Sequence, residues 1–238
     1  MIEVAVRAQA TSGEGPTWDP ATGRLLWVDI LSARIHTFDP ADGRRTVMAT
    51  EQHVGAALPR AGGGLVVNLR DGIGLYGPGG DFSWLVRDPV PGRRGNDAAV
   101  APDGALWAGS TRYDEGPGGG ALIRVTGAGG ASGACAVTGT RPVTVGNGTG
   151  WSPDGRTMYH VDSPTGRVDR FRADCHSPGE PLVDQGPLAT IEPGAGQPDG
   201  LTVDADGCVW VVHAATAITT AASDQIPYTS HEPAIVVG

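Results

Sequence analysis

One strand–turn–strand unit returns along the chain, and its period restricts the fold more than any other feature. A first copy reads Trp18-Asp-Pro-Ala-Thr-Gly23-Arg-Leu-Leu-Trp27-Val-Asp29. Others are Ala101-Pro-Asp-Gly104-Ala-Leu-Trp107-Ala-Gly109, Trp151-Ser-Pro-Asp-Gly155-Arg-Thr-Met-Tyr159-His-Val-Asp162 and Val203-Asp-Ala-Asp-Gly207-Cys-Val-Trp210-Val-Val212, with a weaker one at Leu58–Asn68. An Asp- or Pro-containing turn ending in glycine supplies the positive φ of a tight hairpin, and an alternating apolar–aromatic strand follows. The anchors Trp27, Val67, Trp107, Tyr159 and Trp210 recur at steps of 40, 40, 52 and 51 residues. A period of that size, filled with short strands, marks the blades of a β-propeller.

Between consecutive anchors lies a second strand element: Ala33–Phe38, Gly72–Tyr76, Gly120–Val125 and Gly166–Phe171. Four blades therefore show both halves and a fifth shows its first, so about four and a half blades are recognisable in an all-β chain. No segment keeps the apolar spacing of a long amphipathic helix. After Val212 the rhythm stops. Residues 1–212 are read as the propeller domain, incomplete at its C-terminus, and 213–238 as an unrelated, irregular tail of the kind that a truncation or an altered reading frame leaves.

Glycine (38) and proline (19) are abundant, but hydrophobic residues at 39% arrive in short bounded runs, which argues for a folded chain. A net charge of −9, with 17 arginines and no lysine, argues against nucleic acid or an anionic membrane as partner. Cys135, Cys175 and Cys208 lack zinc or disulfide spacing and are read as reduced thiols. The N-terminal residues have no apolar signal core and no stretch approaches membrane-spanning length, so the expected protein is soluble and cytoplasmic. Gly72-Ile-Gly74-Leu-Tyr-Gly77 matches the dinucleotide fingerprint formally, but Pro78-Gly-Gly follows where a helix is required.

Three polar segments stand just before blade strands, where loops at one end of a propeller converge: Gly13–Asp19, Gly146–Asp154 and Gln197–Leu201. Each sets one oxygen-bearing side chain, Glu14, Asn147 or Asp199, beside glycine or proline. Two carboxylates and an amide form a hard-oxygen set suited to a divalent cation with positions left for water or substrate. The same residues are equally good turn formers, and both readings stay open at this level.

The segments carry a resemblance. Gly13-Glu-Gly-Pro-Thr-Trp18, Gly146-Asn-Gly-Thr-Gly-Trp-Ser-Pro-Asp154 and Pro198-Asp-Gly-Leu201, with Arg94-Gly-Asn96-Asp97 ahead of Ala101–Ser110, are similar in order and content to the motifs of the SMP-30/gluconolactonase/regucalcin-like family. Gly146 replaces a small hydroxyl residue of that pattern. The likeness runs from residue 10 to 212. It implies a six-bladed propeller that hydrolyses sugar lactones with one divalent cation (Ca²⁺, Zn²⁺, Mn²⁺ or Mg²⁺). Carried over by position, it implies Glu14, Asn147 and Asp199 as metal ligands, Asp199 also as general base, and Arg94 and Asn96 as substrate-positioning residues. Glu115 lies one residue from a position where some members place a substrate contact. The resemblance also implies a further hairpin and a sixth blade after the fifth-blade strand, and the pattern past Val212 supplies neither. A contrasting reading is a non-catalytic calcium-binding or interaction propeller, or an inactive truncated or frameshifted relative.

Overall fold

The structure, a computed structural model, describes residue 6 and residues 8–126, 136–173, 182–214 and 235–237. The chain divides into two compact units, Met1–Gly146 and Asn147–Gly238. Among the described residues there are nineteen strands and one turn of 3₁₀-helix, with no α-helix. Among the described residues no helix is long and apolar enough to cross a membrane.

The first unit holds three antiparallel four-stranded sheets in simple up-and-down order. The first comprises β1 (Gly13–Asp19), β2 (Arg24–Asp29), β3 (Arg34–Phe38) and β4 (Arg45–Ala49); the second, β5 (Val54–Pro59), β6 (Leu65–Leu69), β7 (Gly72–Tyr76) and β8 (Phe82–Arg87); the third, β9 (Arg93–Val100), β10 (Leu106–Arg112), β11 (Gly120–Thr126) and β12 (Ala136–Val143). In the second unit β13 (Gly146–Trp151), β14 (Thr157–Asp162), β15 (Arg167–Arg172) and β16 (Val183–Thr190) form a fourth such sheet. A three-stranded sheet follows, of β17 (Gln197–Val203), β18 (Val209–Ala214) and β19 (Ile235–Val237). The repeat count of four blades and part of a fifth is thus met sheet by sheet. The five anchors occupy the second strand of their sheets, and the second-half elements are β3, β7, β11 and β15. The fingerprint-like glycines lie in and just after strand β7, with no helix behind them. Cys208 is a free thiol; Cys135, Cys175 and most of the expected tail lie outside the described residues.

The turns work as their composition dictates. At Asp19–Gly23 the carboxylate accepts bonds from the Ala21 amide (3.0 Å) and the Thr22 hydroxyl (2.6 Å), and Gly23 closes the hairpin at φ 66°. At Ser152–Gly155 the Asp154 carboxylate takes the Ser152 hydroxyl (2.6 Å) and the Arg156 amide (3.1 Å), with Gly155 at φ 69°. Within each unit the apolar faces of alternating strands pack on the next sheet. Leu26, Val28 and Ile35 meet Val54, Val67 and Leu69 between the first two sheets, and Ala56, Val66 and Ile73 meet Ala98, Leu106 and Val125 between the second and third. In the second unit Val161 and Val168 meet Val209 and Val211.

Asp29 pins the entry to β1. Its buried carboxylate, 3% exposed, accepts the amides of Thr11 (3.0 Å) and Ser12 (2.9 Å). Burial pushes its pKa up, but the bonds from Ser12 and Thr11 outweigh this and the group titrates below its ordinary value of 3.8. A depressed folded pKa contributes stability that is full above the unfolded value and fades as pH falls through the folded one. Asp29→Asn is therefore expected to cost about 1 kcal/mol near neutrality. The gap to the native protein should narrow below pH 3.8, as read by denaturant unfolding at the two pH values.

Candidate active site

The segments expected as converging loops are strands. Gly13–Asp19, Gly146–Trp151 and Gln197–Val203 are the first strands of their sheets, β1, β13 and β17. Glycine and proline disfavour strands in general, but here they serve two local needs. Each first strand carries a glycine at a matched place: Gly15, Gly55, Gly95, Gly148 and Gly200. These recur at steps of 40, 40, 53 and 52 residues, the same rhythm as the anchors. The residues just before them are Glu14, Val54, Arg94, Asn147 and Asp199. Four of the five are the polar residues singled out from the sequence.

The first need is a bulge. In β1 the pairing jumps from Glu14↔Val28 to Thr17↔Leu26; in β5 from Val54↔Leu69 to Ala56↔Asn68; in β9 from Gly95↔Ser110 to Ala98↔Ala108; in β17 from Pro198↔His213 to Leu201↔Val211. Every jump leaves one extra residue on the first strand, at or beside the matched glycine. A bulge bends the strand and re-aims the side chains around it. The second need is close approach. A Cβ on Gly55 would stand 2.2 Å from the Asn96 carbonyl oxygen. One on Gly148 would stand 2.4 Å from the Leu201 amide nitrogen and 2.7 Å from the Asp199 carbonyl oxygen. Only glycine lets neighbouring first strands touch backbone to backbone.

In the first unit Arg94 is the organising charge. Its Nη1 donates to Asn96 Oδ1 at 2.6 Å and to the Gly95 carbonyl at 3.0 Å. Asn96, 7% exposed, donates its own amide to the Gly146 carbonyl at 3.2 Å. Both ends of the Asn96 amide are thus engaged within the protein, and the side chain holds the guanidinium in place. Burial draws the Arg94 pKa down, while Tyr113, Glu115 and Glu14 push it back up. Two expected residues, Arg94 and Asn96, are therefore directly bonded. Glu14 and Glu115 lie within electrostatic reach of the same guanidinium. Glu14 and Glu115 are themselves exposed. Arg94 also lines a cleft of about 200 Å³ between the second and third sheets, with Asn68, Arg70 and Arg93.

The second unit brings Asn147 and Asp199 onto neighbouring strands, β13 and β17, whose backbones meet at Gly148. Asn147 Nδ2 donates to Ser163 Oγ at 3.0 Å, on the 3₁₀ turn Ser163–Thr165 that follows β14. With its nitrogen committed, the amide presents its oxygen as the acceptor, which is the atom a hard cation takes. Among the described residues no three His, Cys, Asp or Glu side chains gather as a metal-binding group. The expected set holds two carboxylates and an amide and is of a different kind.

Three residues of this region were not singled out from the sequence. Asn68, 5% exposed, donates its amide to three carbonyls, those of Asn96 (3.1 Å), Asp97 (3.3 Å) and Gly109 (2.8 Å). It bolts β6 to β9 and β10 behind Arg94. Its signal was a lone amide in the apolar run Leu65-Val-Val-Asn68-Leu. His53 and Tyr113 pair through Nδ1 and Oη at 2.6 Å across sixty residues of sequence, a contact with no local signature.

Comparison with known proteins settles the lineage. The family model described as the SMP-30/Gluconolactonase/LRE-like region matches residues 12–225. The chain belongs to this family. Within it, the 6-deoxy-6-sulfogluconolactonase of Pseudomonas putida is 32% identical over 212 residues, covering 88% of this chain and 70% of that protein. A solved structure of a calcium-binding protein, regucalcin, from Agrobacterium tumefaciens superposes with a TM-score of 0.76 at 29% identity, over 88% of this chain and 70% of that one. A gluconolactonase from Xanthomonas campestris superposes with a TM-score of 0.68 at 25% identity, over 86% and 71%. The all-β propeller class expected from the repeats is the fold of this SMP-30/gluconolactonase family.

Proposed function

We propose that this chain hydrolyses a sugar lactone with one divalent cation, held by Glu14, Asn147 and Asp199. The observation that carries the reading is the matched pre-glycine position: of the five residues that precede the matched glycines of the first strands, two are carboxylates, one an amide and one an arginine. Family relatives named as lactonases support it. The Asn147 amide, with its nitrogen tied to Ser163, fits a cation through its oxygen. A cation bound by this set would supply Lewis-acid polarisation of the lactone carbonyl and charge stabilisation for the tetrahedral oxyanion.

The chain's own residues do the rest. Asp199 accepts a proton from the attacking water as its oxygen bonds to the carbonyl carbon. The ring C–O bond then breaks, and the departing oxygen takes a proton to give the open hydroxy acid. Arg94, pre-oriented by Asn96, donates hydrogen bonds to the sugar's hydroxyl oxygens and fixes the ring against the base. Ca²⁺, Mn²⁺ and Mg²⁺ suit oxygen-rich ligation of this kind, and Zn²⁺ also accepts carboxylate oxygens. Hydrolysis of an aldonolactone, followed by the acid released per ring opened, tests the reading. Turnover supports it; none, in folded protein supplied with each of the four cations, defeats it. In that event cation binding without hydrolysis would place the chain with its calcium-binding relative.

A further inference from the structure

We propose that Tyr113, held by His53, is a substrate-positioning residue that binds a ring hydroxyl of the sugar beside Arg94 and so selects polyhydroxylated lactones. This rests on the reading of the site as a sugar-lactone site and adds a residue and a selectivity to it.

The loop after β10 presents Tyr113 as a fixed group. The Tyr113 amide donates to the Gly92 carbonyl at 2.9 Å. On either side of it Arg112 and Asp114 form a bidentate pair at 2.7 and 2.7 Å, and Asp114 also takes the Gly116 amide at 3.1 Å. Glu115, at φ 49°, turns the chain immediately afterwards. The phenol is therefore carried on a braced turn, and the residue is 46% exposed. Its partner is equally braced. The His53 carbonyl accepts the Arg70 amide at 3.0 Å, and the neighbouring Gln52 makes reciprocal bonds with Asp71 at 2.7 and 3.0 Å. The two rings stand edge to face, centroids 5.7 Å apart.

The position fits a sugar-facing role. Tyr113 lies within electrostatic reach of both Arg94 and Arg70, and both arginines line the cleft between the second and third sheets. Arg94 offers only donors, and Glu14 and Glu115, as carboxylates, only acceptors. A hydroxyl group needs either, and the His–Tyr pair supplies either. When His53 Nδ1 donates to the phenol oxygen, the phenol hydrogen is free to donate to the sugar. When Nδ1 accepts that hydrogen, the phenol oxygen accepts from the sugar. A site that makes such a bond discriminates against a substrate lacking the hydroxyl, because its own polar group is then left unpaired.

The test separates binding from turnover. Affinity for 1,5-anhydroglucitol, a cyclic polyol with no ester to open, is measured by calorimetry for the native chain, Tyr113→Phe, His53→Leu and His53→Asn. In parallel KM and kcat are measured for glucono-δ-lactone and for the unsubstituted δ-valerolactone. Tyr113→Phe is expected to weaken polyol binding roughly three- to tenfold, the net worth of one hydrogen bond. It should raise KM for the glucono-lactone by a similar factor, with kcat changed less than about twofold and δ-valerolactone unaffected. His53→Leu should follow it and His53→Asn, which keeps a polar atom near Nδ1, should restore most of the loss. Equal polyol affinity in native and Tyr113→Phe protein, no polyol binding by the native chain, or equal losses on both lactones would overturn the proposal. If the polyol series behaves as expected while no lactone is opened, Tyr113 keeps its role and the hydrolytic reading fails.

Discussion

Asp199→Asn is expected to lower kcat for lactone hydrolysis by about 10²–10⁴-fold, the usual contribution of a positioned general base. Asparagine keeps the size and one oxygen of aspartate but accepts no proton at neutral pH. As the substituted residue also stands in the proposed cation set, affinity for the cation should fall with the rate. The stability of the sheet should hardly change. Asp199 is half-buried on β17, and its strand is fixed by the pairing of Pro198 with His213 and Leu201 with Val211. Initial rates across a cation titration, with circular dichroism on the same samples, check this. A loss cured by excess cation would assign Asp199 to ligation alone, and an undiminished rate would remove it from the mechanism.

Gly148→Ala is the second large effect, and it acts through packing. The added methyl would stand 2.4 Å from the Leu201 nitrogen and 2.7 Å from the Asp199 carbonyl oxygen, and both obstacles are backbone. Overpacking against groups that cannot rotate away belongs at the upper end of the usual range, about 3 kcal/mol. For a chain of this size that lowers Tm by roughly 6–12 °C. Because β17 must shift to make room, activity should fall as well. Gly200→Ala is the built-in comparison, since nothing lies within 4 Å of a methyl there and its φ is not in the left-handed region. Its stability should stay within about 0.5 kcal/mol of native. Scanning calorimetry of the pair decides whether close strand approach or mere glycine content explains the matched positions.

The blade count was legible in the sequence because hairpin chemistry is local. An aspartate that caps its own turn and a glycine at positive φ, as at Asp19–Gly23 and Ser152–Gly155, leave a signature within a few residues. The aromatic or aliphatic anchor of the second strand follows at a fixed offset. The first strands were less legible. Glu14-Gly-Pro, Asn147-Gly and Pro198-Asp-Gly read as turns because their composition is that of turns. Pairing with the strand that follows makes strands of them, and the backbone-to-backbone packing at Gly55 and Gly148 adds partners about forty to fifty residues away. The motif resemblance pointed to Glu14, Arg94, Asn96, Asn147 and Asp199 by position. It gave no reason why Asn96 should be buried, and the bonds to Arg94 and Gly146 supply that reason. Asn68, His53 and Tyr113 stayed hidden because their meaning lies wholly in long-range contacts.

The most direct test of a cation-dependent sugar lactonase is the initial rate of glucono-δ-lactone hydrolysis by chelator-stripped protein, before and after cation is returned. A rate near the spontaneous background is expected in the stripped sample. Recovery is expected on addition of at least one of Ca²⁺, Zn²⁺, Mn²⁺ or Mg²⁺, with no comparable recovery in Glu14→Gln or Asp199→Asn. Full turnover that persists in the stripped protein, or recovery undiminished in both variants, would contradict a cation-dependent lactonase.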